Sequence, residues 1–186
     1  MSEADLENPP FGETLASHRG FDGTWVHVRV DEVRLPTGRA TTREIVEHPG
    51  SVAIVGVTSD GNVLLLRQSH HAIGCTLLGI PAGTLEPGET PEACARRELA
   101  EETGYRAGPL RQLAAYYTSP GYTDERMTIF HAADCEPAGS EIDPDELIRL
   151  TPMPLADVWR LLAPGPEQLE DAKTLIGLLL LLRESG

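Results

Sequence analysis

Apolar and polar residues alternate through TWVHVRVDEVRL, where Val26, Val28 and Val30 are set against Trp25, His27 and Arg29. PTGR then offers a turn into TTREIVEH, so the pattern predicts a β-hairpin over residues 21–47. SVAIVGV and NVLLLRQ flank TSDG and predict a second hairpin, whose nearly continuous apolar runs assign its strands to the interior. Further strands are expected over 113–117, 127–132 and 147–151, and helices over 91–103, 154–162 and 167–183. Strands interleaved with helices at this chain length predict an α/β fold with a mixed sheet between helices. The acidic start, residues 1–20, is expected to be disordered, and residues 48–186 to form the main domain.

The helix over 91–103 is bounded by clear signals. Thr90 suits the N-cap, Pro91 the first turn, Glu92 the positive end of the helix dipole, and Gly104 the left-handed position that ends it. Ala95 and Leu99, four apart, supply a small inward face, while Glu98 lies three and four residues from Glu101 and Glu102. Like charges at that spacing cost a few tenths of a kcal/mol per pair unless a cation lies between them. Arg97 can offset one. A solvated acidic face is one reading; a site for hard divalent cations, which favour carboxylate oxygens, is the other. The preceding PAGTLEPGE loop favours the second, because it returns Glu89 to the helix start and can present the Ala82 carbonyl as a further oxygen, which a solvated face does not need.

Gly83, five residues, Glu89, seven residues and then Arg97-Glu98-Leu99-Ala100-Glu101-Glu102-Thr103-Gly104 resembles the Nudix box. Tyr105 departs from it, standing where the pattern has an aliphatic residue. The resemblance implies a Nudix-type α/β/α sandwich with an N-terminal β-hairpin extension. It also implies that Glu98 and Glu102 are the main metal ligands, Glu101 a supporting carboxylate and Ala82 a backbone ligand, with Arg97 orienting the glutamates and pairing with Glu89. The implied cofactor is Mg²⁺, with Mn²⁺ as a substitute, and the implied chemistry is hydrolysis of a nucleoside diphosphate linked to another moiety.

YYTSPGYTDERMTIF, LLLRQSHHAIGCTLLGIPAG, EHPGSVAIV and DAKTLIGLLLLL are similar to the ADP-ribose pyrophosphatase branch, and Pro120 falls fifteen residues beyond Tyr105 as it does there. That branch implies a nucleoside diphosphate sugar as substrate, with Arg43, Arg67, His70, Pro120, Gly121 and Glu125 as substrate-binding candidates. A homodimer in which the N-terminal hairpin serves the partner's site is implied as well. Glu146 is the candidate general base, chosen over Glu141, Asp143 and Asp145 in the same acidic loop, whose other reading is a solvated turn. Two positions depart from the branch: Gly79 stands where it usually has glutamate, and His70 where it commonly has arginine. Both changes weaken the contacts expected for ADP-ribose itself. Trp25 and Tyr122 suit base stacking or packing, and the adjacent His70 and His71 make a poor metal pair, since neighbours on a strand face opposite ways.

Composition narrows the partners. A net charge of −14 over 186 residues repels nucleic acid and anionic membranes, so an anionic substrate needs metal ions and local arginines. Cys75, Cys94 and Cys135 have no metal-ligand or redox spacing, and an odd count with no signal peptide suits a reducing cytoplasm. The apolar run from Leu175 to Leu182 is interrupted by Gly177 and falls short of the about 20 residues that span a bilayer, so a buried C-terminal helix is expected. From another class, the competing reading is a catalytically silent nucleotide-sugar-binding or regulatory module. The intact charge set of Arg97, Glu89, Glu98, Glu101 and Glu102 opposes it. Nucleoside triphosphate hydrolysis is a third reading, disfavoured by Pro120 and the long hairpin.

Overall fold

The computed structural model describes residues 11–139, 147–163 and 169–184. Its contacts divide the chain into two compact units, Met1–His48 with Tyr117–Glu125, and Pro49–Tyr116 with Arg126–Gly186.

The first unit is an antiparallel sheet of β1 (Glu13–Asp22), β2 (His27–Arg34) and β3 (Ala40–Glu47), in that order. The expected pair of strands is β2 and β3, in register from His27↔Glu47 to Arg34↔Ala40. The disorder expected for residues 1–20 is corrected over residues 13–20, which belong to β1. Its sequence hides the strand because two register shifts, between Thr14 and Ala16 and between Arg19 and Phe21, break the two-residue period. Every residue of β1 is exposed. Charge pairing ties the three strands together: Arg29 bonds Asp31 at 3.0 Å and Glu47 at 2.9 Å, Arg19 also pairs with Glu47, and Ser17 donates to Asp31 at 2.6 Å. The segment 117–125 is strapped to β3, since the Val46 amide donates to the Tyr122 carbonyl at 2.8 Å and the Thr123 hydroxyl to the Val46 carbonyl at 2.9 Å.

The second unit is built on β4 (Ser51–Thr58), followed by β5 (Asn62–Val63), β6 (Leu66–His70), β7 (Cys75–Gly79), β8 (Ala82–Thr84) and α1 (Pro91–Thr103). Then come β9 (Tyr105–Arg106), β10 (Leu110–Tyr117), β11 (Arg126–Pro137), β12 (Ile148–Leu150), β13 (Met153–Pro154), α2 (Trp159–Leu162) and α3 (Ala172–Glu184). The main sheet runs β10-β11-β4-β5-β13, with β8 on β4 and β9 on β11. It is mixed, since β4 is parallel to β11 and antiparallel to β8 and β5. A second sheet has the order β12-β6-β7.

Alternation along β4 divides the core. Val52 and Ile54 pack with Ala95 and Leu99 of α1, whereas Ala53 and Val55 pack with Leu178 and Leu181 of α3. β11 repeats the division, with Phe130 and Ala132 in the first cluster and Met127 and Ile129 in the second. Burial of each larger aliphatic or aromatic side chain among them stabilises the fold by about 1.5–3 kcal/mol, and of each alanine by about 0.8 kcal/mol. The sheet lies between two helices, as the α/β/α expectation requires.

Several expected bounds shift for local reasons. NVLLLRQ is split, because Leu64 enters the α1 cluster and Leu65 the α3 cluster before β6 joins the second sheet. The helix expected over 154–162 is a 3-10 turn, Leu155–Asp157, followed by the single turn of α2, since Pro154 is extended (φ −53°, ψ 132°). The helix expected from residue 167 begins at Ala172, where Asp171 caps it by accepting from the Thr174 amide at 3.2 Å. No described helix is long and apolar enough to cross a membrane.

Candidate active site

The caps of α1 match its sequence signals. The Thr90 hydroxyl accepts from the Ala93 amide at 3.2 Å, Pro91 occupies the first turn, and Gly104, at φ 72°, donates to the Ala100 carbonyl. A helix fixed at both ends holds its side chains in constant register against β8, and three successive β8 residues meet it. The Ala82 amide donates to Glu102 at 2.8 Å, Gly83 lies against the Glu98 carboxylate, and the Thr84 carbonyl accepts from Arg97 at 3.2 Å. Gly83 lets that carboxylate sit where it does, since a Cβ there would overlap it and displace Glu98.

Arg97 is the hub of the charges. Its Nε and Nη2 grip both oxygens of Glu89, at 3.0 and 2.9 Å, in the planar fork that guanidinium and carboxylate form best. Its Nη1 donates to Glu98 at 2.7 Å and to Glu101 at 3.0 Å. The Arg97 hydrogen bonds, together with the Glu86 amide, hold Glu89 down to about 2. The same carboxylates, Glu89 first, push the Arg97 guanidinium up, so it stays charged throughout. Beside them the Cys94 thiol is pushed up to about 12 by burial and then by Glu89, which makes it an inert filler.

The three helix carboxylates differ in exposure. Glu98 and Glu102 are 9% and 3% exposed, whereas the Glu101 side chain is 54% exposed. The shared acidic side expected from spacing is therefore uneven: two carboxylates are drawn in against β8 and the third faces water. Removing a carboxylate from water is costly unless it is paired or binds metal. Here Glu89, Glu98 and Glu101 gather about one guanidinium and Glu102 is buried on the same helix against β8, an excess of negative charge with hard oxygen donors, and such a set fits a divalent cation. Among the described residues no three carboxylate, imidazole or thiol side chains already converge to hold an ion. Arg97 draws Glu98 and Glu101 toward itself, and Glu102 bonds the Ala82 amide. Glu146, with Glu141, Asp143 and Asp145, lies outside the described residues.

The other candidates fall in both units. Arg43, exposed on β3 of the first unit, donates to the Thr42 carbonyl at 3.0 Å. Pro120 and Gly121 follow Ser119, whose carbonyl accepts from the Tyr122 amide at 3.1 Å to close a turn, and Glu125 accepts from the Thr118 hydroxyl at 2.6 Å. In the second unit Arg67 and His70 lie on β6. Beyond Gly79, the place where a longer side chain would extend holds Thr174 and Asp171 of the α3 cap, 3.3 and 3.4 Å from a Cβ built there. Sequence reasoning missed the β8 contacts of α1, which involve backbone atoms and leave no side-chain signal beyond Gly83.

Residues 47–175 match the NUDIX domain family, and residues 13–46 match the nucleoside diphosphate sugar hydrolase N-terminal domain. The chain is 40% identical to an ADP-ribose pyrophosphatase of Bacillus subtilis (strain 168), over 87% of this chain and 88% of that one. It is 34% identical to a methanol dehydrogenase activator of Bacillus methanolicus, over 88% and 89% of the two chains. A crystal structure described as an ADP compounds hydrolase superposes with a TM-score of 0.79 at 24% identity, covering 95% of this chain and 97% of that one, a likeness of fold. With its box residues assembled between α1 and β8, the chain belongs to the Nudix family.

Proposed function

We propose that the protein is a Mg²⁺-dependent pyrophosphohydrolase that cleaves ADP-ribose or a related nucleoside diphosphate sugar into a nucleoside monophosphate and a sugar phosphate, with Mn²⁺ able to substitute. The observation that carries this reading is the burial of Glu98 and Glu102 against consecutive residues of β8, under an arginine that is already saturated with carboxylates. A module that only bound nucleotide sugars would have no use for two buried carboxylates beside an arginine shared among Glu89, Glu98 and Glu101. The 40% identity to an ADP-ribose pyrophosphatase supports the substrate class.

Glu98 and Glu102 are the ligands in this reading, Glu101 the supporting carboxylate and the Ala82 carbonyl the backbone donor. Bound Mg²⁺ would neutralise the diphosphate and lower the pKa of the attacking water. The Glu89–Arg97 fork holds Arg97 in place, and Arg97 in turn aims Glu98 and Glu101. The Ala82 amide fixes the rotamer of Glu102. Gly83 leaves the space that Glu98 occupies. Glu146 serves as general base, and Arg43, Arg67, His70, Pro120, Gly121 and Glu125 contact the substrate.

A cytoplasmic homodimer completes the proposal. The first unit exposes Phe11 at 97%, Trp25 at 91% and Phe21 at 58%, beside a β1 strand with no buried residue, and a second copy is the natural cover for this surface. The free cysteines suit a reducing compartment. A panel of nucleoside diphosphate sugars, assayed with Mg²⁺ or Mn²⁺ for monophosphate release, tests the activity. No release from any member overturns it. Light scattering tests the dimer, which an active monomer at assay concentration refutes.

A further inference from the structure

Arg67 of β6 and Arg149 of β12 are directly opposite each other in the antiparallel register. Side chains so placed have Cβ atoms about 5 Å apart, and like charges at that spacing repel. Both residues are exposed, and among the described residues no hydrogen bond or ion pair engages either guanidinium. Arg19, Arg29, Arg34, Arg96, Arg97, Arg106 and Arg160 all find carboxylates in this chain of 29 acidic and 15 basic residues, whereas Arg67 and Arg149 face each other without one. Among the described residues no counter-charge lies against this juxtaposed pair.

The next rung on the same face is polar and neutral. Ser69 lies two residues along β6 from Arg67, hence on the same side and about 6.7 Å away, and its register partner is Thr76 of β7. The two hydroxyls are hydrogen-bonded to each other at 3.2 Å. They open onto a cavity of about 340 Å³ at the end of the sheet, lined also by His70, His71 and Leu147. That volume is near the lower end of the range that small-molecule sites occupy, roughly 300–1,000 Å³. Two forked cations, two hydroxyls and a small mixed cavity thus follow one another along the β12-β6-β7 sheet.

We propose that Arg67 and Arg149 jointly bind one phosphate group, and that the adjoining cavity receives the sugar of the same phosphomonoester. A phosphate has enough acceptor oxygens to engage both guanidiniums at once, converting their repulsion into two charge-assisted contacts. The hydroxyls of Ser69 and Thr76 then meet the sugar oxygens. Nothing in this site depends on the metal ligands of α1, so it stands or falls separately from the hydrolytic reading.

The test is calorimetric titration of the full-length protein in EDTA with ribose 5-phosphate, inorganic phosphate and ribose. Ribose 5-phosphate is expected to bind, inorganic phosphate more weakly, and ribose not at all. Arg67→Gln and Arg149→Gln should each weaken ribose 5-phosphate by about tenfold, the loss of one charge-assisted contact. The double variant should lose less than the product of the two, because both act on one phosphate. Arg126→Gln, an exposed arginine on another strand, serves as the control. Both tested side chains are exposed and unpaired, so thermal midpoints should not fall. Binding by Arg149→Gln equal to wild type overturns the proposal, as does no wild-type binding at about 10 mM, an affinity too weak for two such contacts. Kinetics identify the source of the phosphate: a raised KM for the nucleoside diphosphate sugar in Arg149→Gln assigns it to the substrate, and an unchanged KM assigns it to a free phosphomonoester.

Discussion

Gly83 and Glu98 share one small volume, the glycine hydrogen standing where any larger side chain would meet the glutamate carboxylate. Gly83→Ala should therefore leave α1 helical and expel Glu98 from its place. We expect turnover to fall by about 100-fold or more, since a misplaced ligand charge no longer stabilises the transition state. Circular dichroism should show native helix content. Wild-type turnover in Gly83→Ala would mean that Glu98 works from another position.

Glu102→Gln keeps the shape of the side chain and can still accept from the Ala82 amide, so the fold should survive. Losing one buried ligand charge is expected to cost at least about 100-fold in turnover. Steady-state rates at saturating Mg²⁺ decide the matter. A rate near wild type removes Glu102 from the metal ligands.

The Glu89–Arg97 fork sets a pH dependence with a definite sign. Glu89 is held at about 2 in the folded chain against an ordinary 4.5, so its contribution is fully present above pH 4.5 and disappears as pH falls toward 2. Urea-unfolding midpoints of wild type and Glu89→Gln should differ most above pH 4.5 and converge as the pH falls to 2. A gap that widens on acidification would contradict the assignment.

The three thiols should separate by accessibility. Cys75 is exposed, whereas Cys94 and Cys135 are buried, and burial pushes both of the latter up. A thiol-specific chromophoric reagent at pH 8 should modify one cysteine of the native protein quickly and the other two only on unfolding. Mass mapping of the fast site to Cys94 would show that α1 opens.

Much of this was legible beforehand because the informative residues carry their own constraints. Thr90, Pro91 and Gly104 fixed the bounds of α1, and the box spacing marked Glu89, Arg97, Glu98 and Glu102 as a set. Legibility failed where the cause lies elsewhere in the chain. β1 has no readable period because its two bulges are defined only by pairing with β2. β7 and β8 carry no readable signal, since CTLLG and AGT are too short to show a period and owe their strand form to β6 and β4. The unequal exposure of Glu101 and Glu102, adjacent in sequence, follows from where β8 lies, which helical spacing cannot report. Arg149 became noticeable only through its register with Arg67.

The division of the core by β4 has a consequence for how the chain tolerates changes in length. Val52 and Ile54 serve one helix while Ala53 and Val55 serve the other. Deleting one residue upstream within the strand would exchange these assignments, presenting to α1 the side chains fitted to α3 and the reverse. Gly56 sharpens the demand, because a Cβ at that position would lie 3.1 Å from Leu99 and 3.2 Å from Leu64. Insertions and deletions must instead be absorbed at places such as Gly61, which turns at φ 83° with open space around it. In descendants of this chain the stretch from Ser51 to Thr58 should hold its length while the turn after it lengthens and shortens freely.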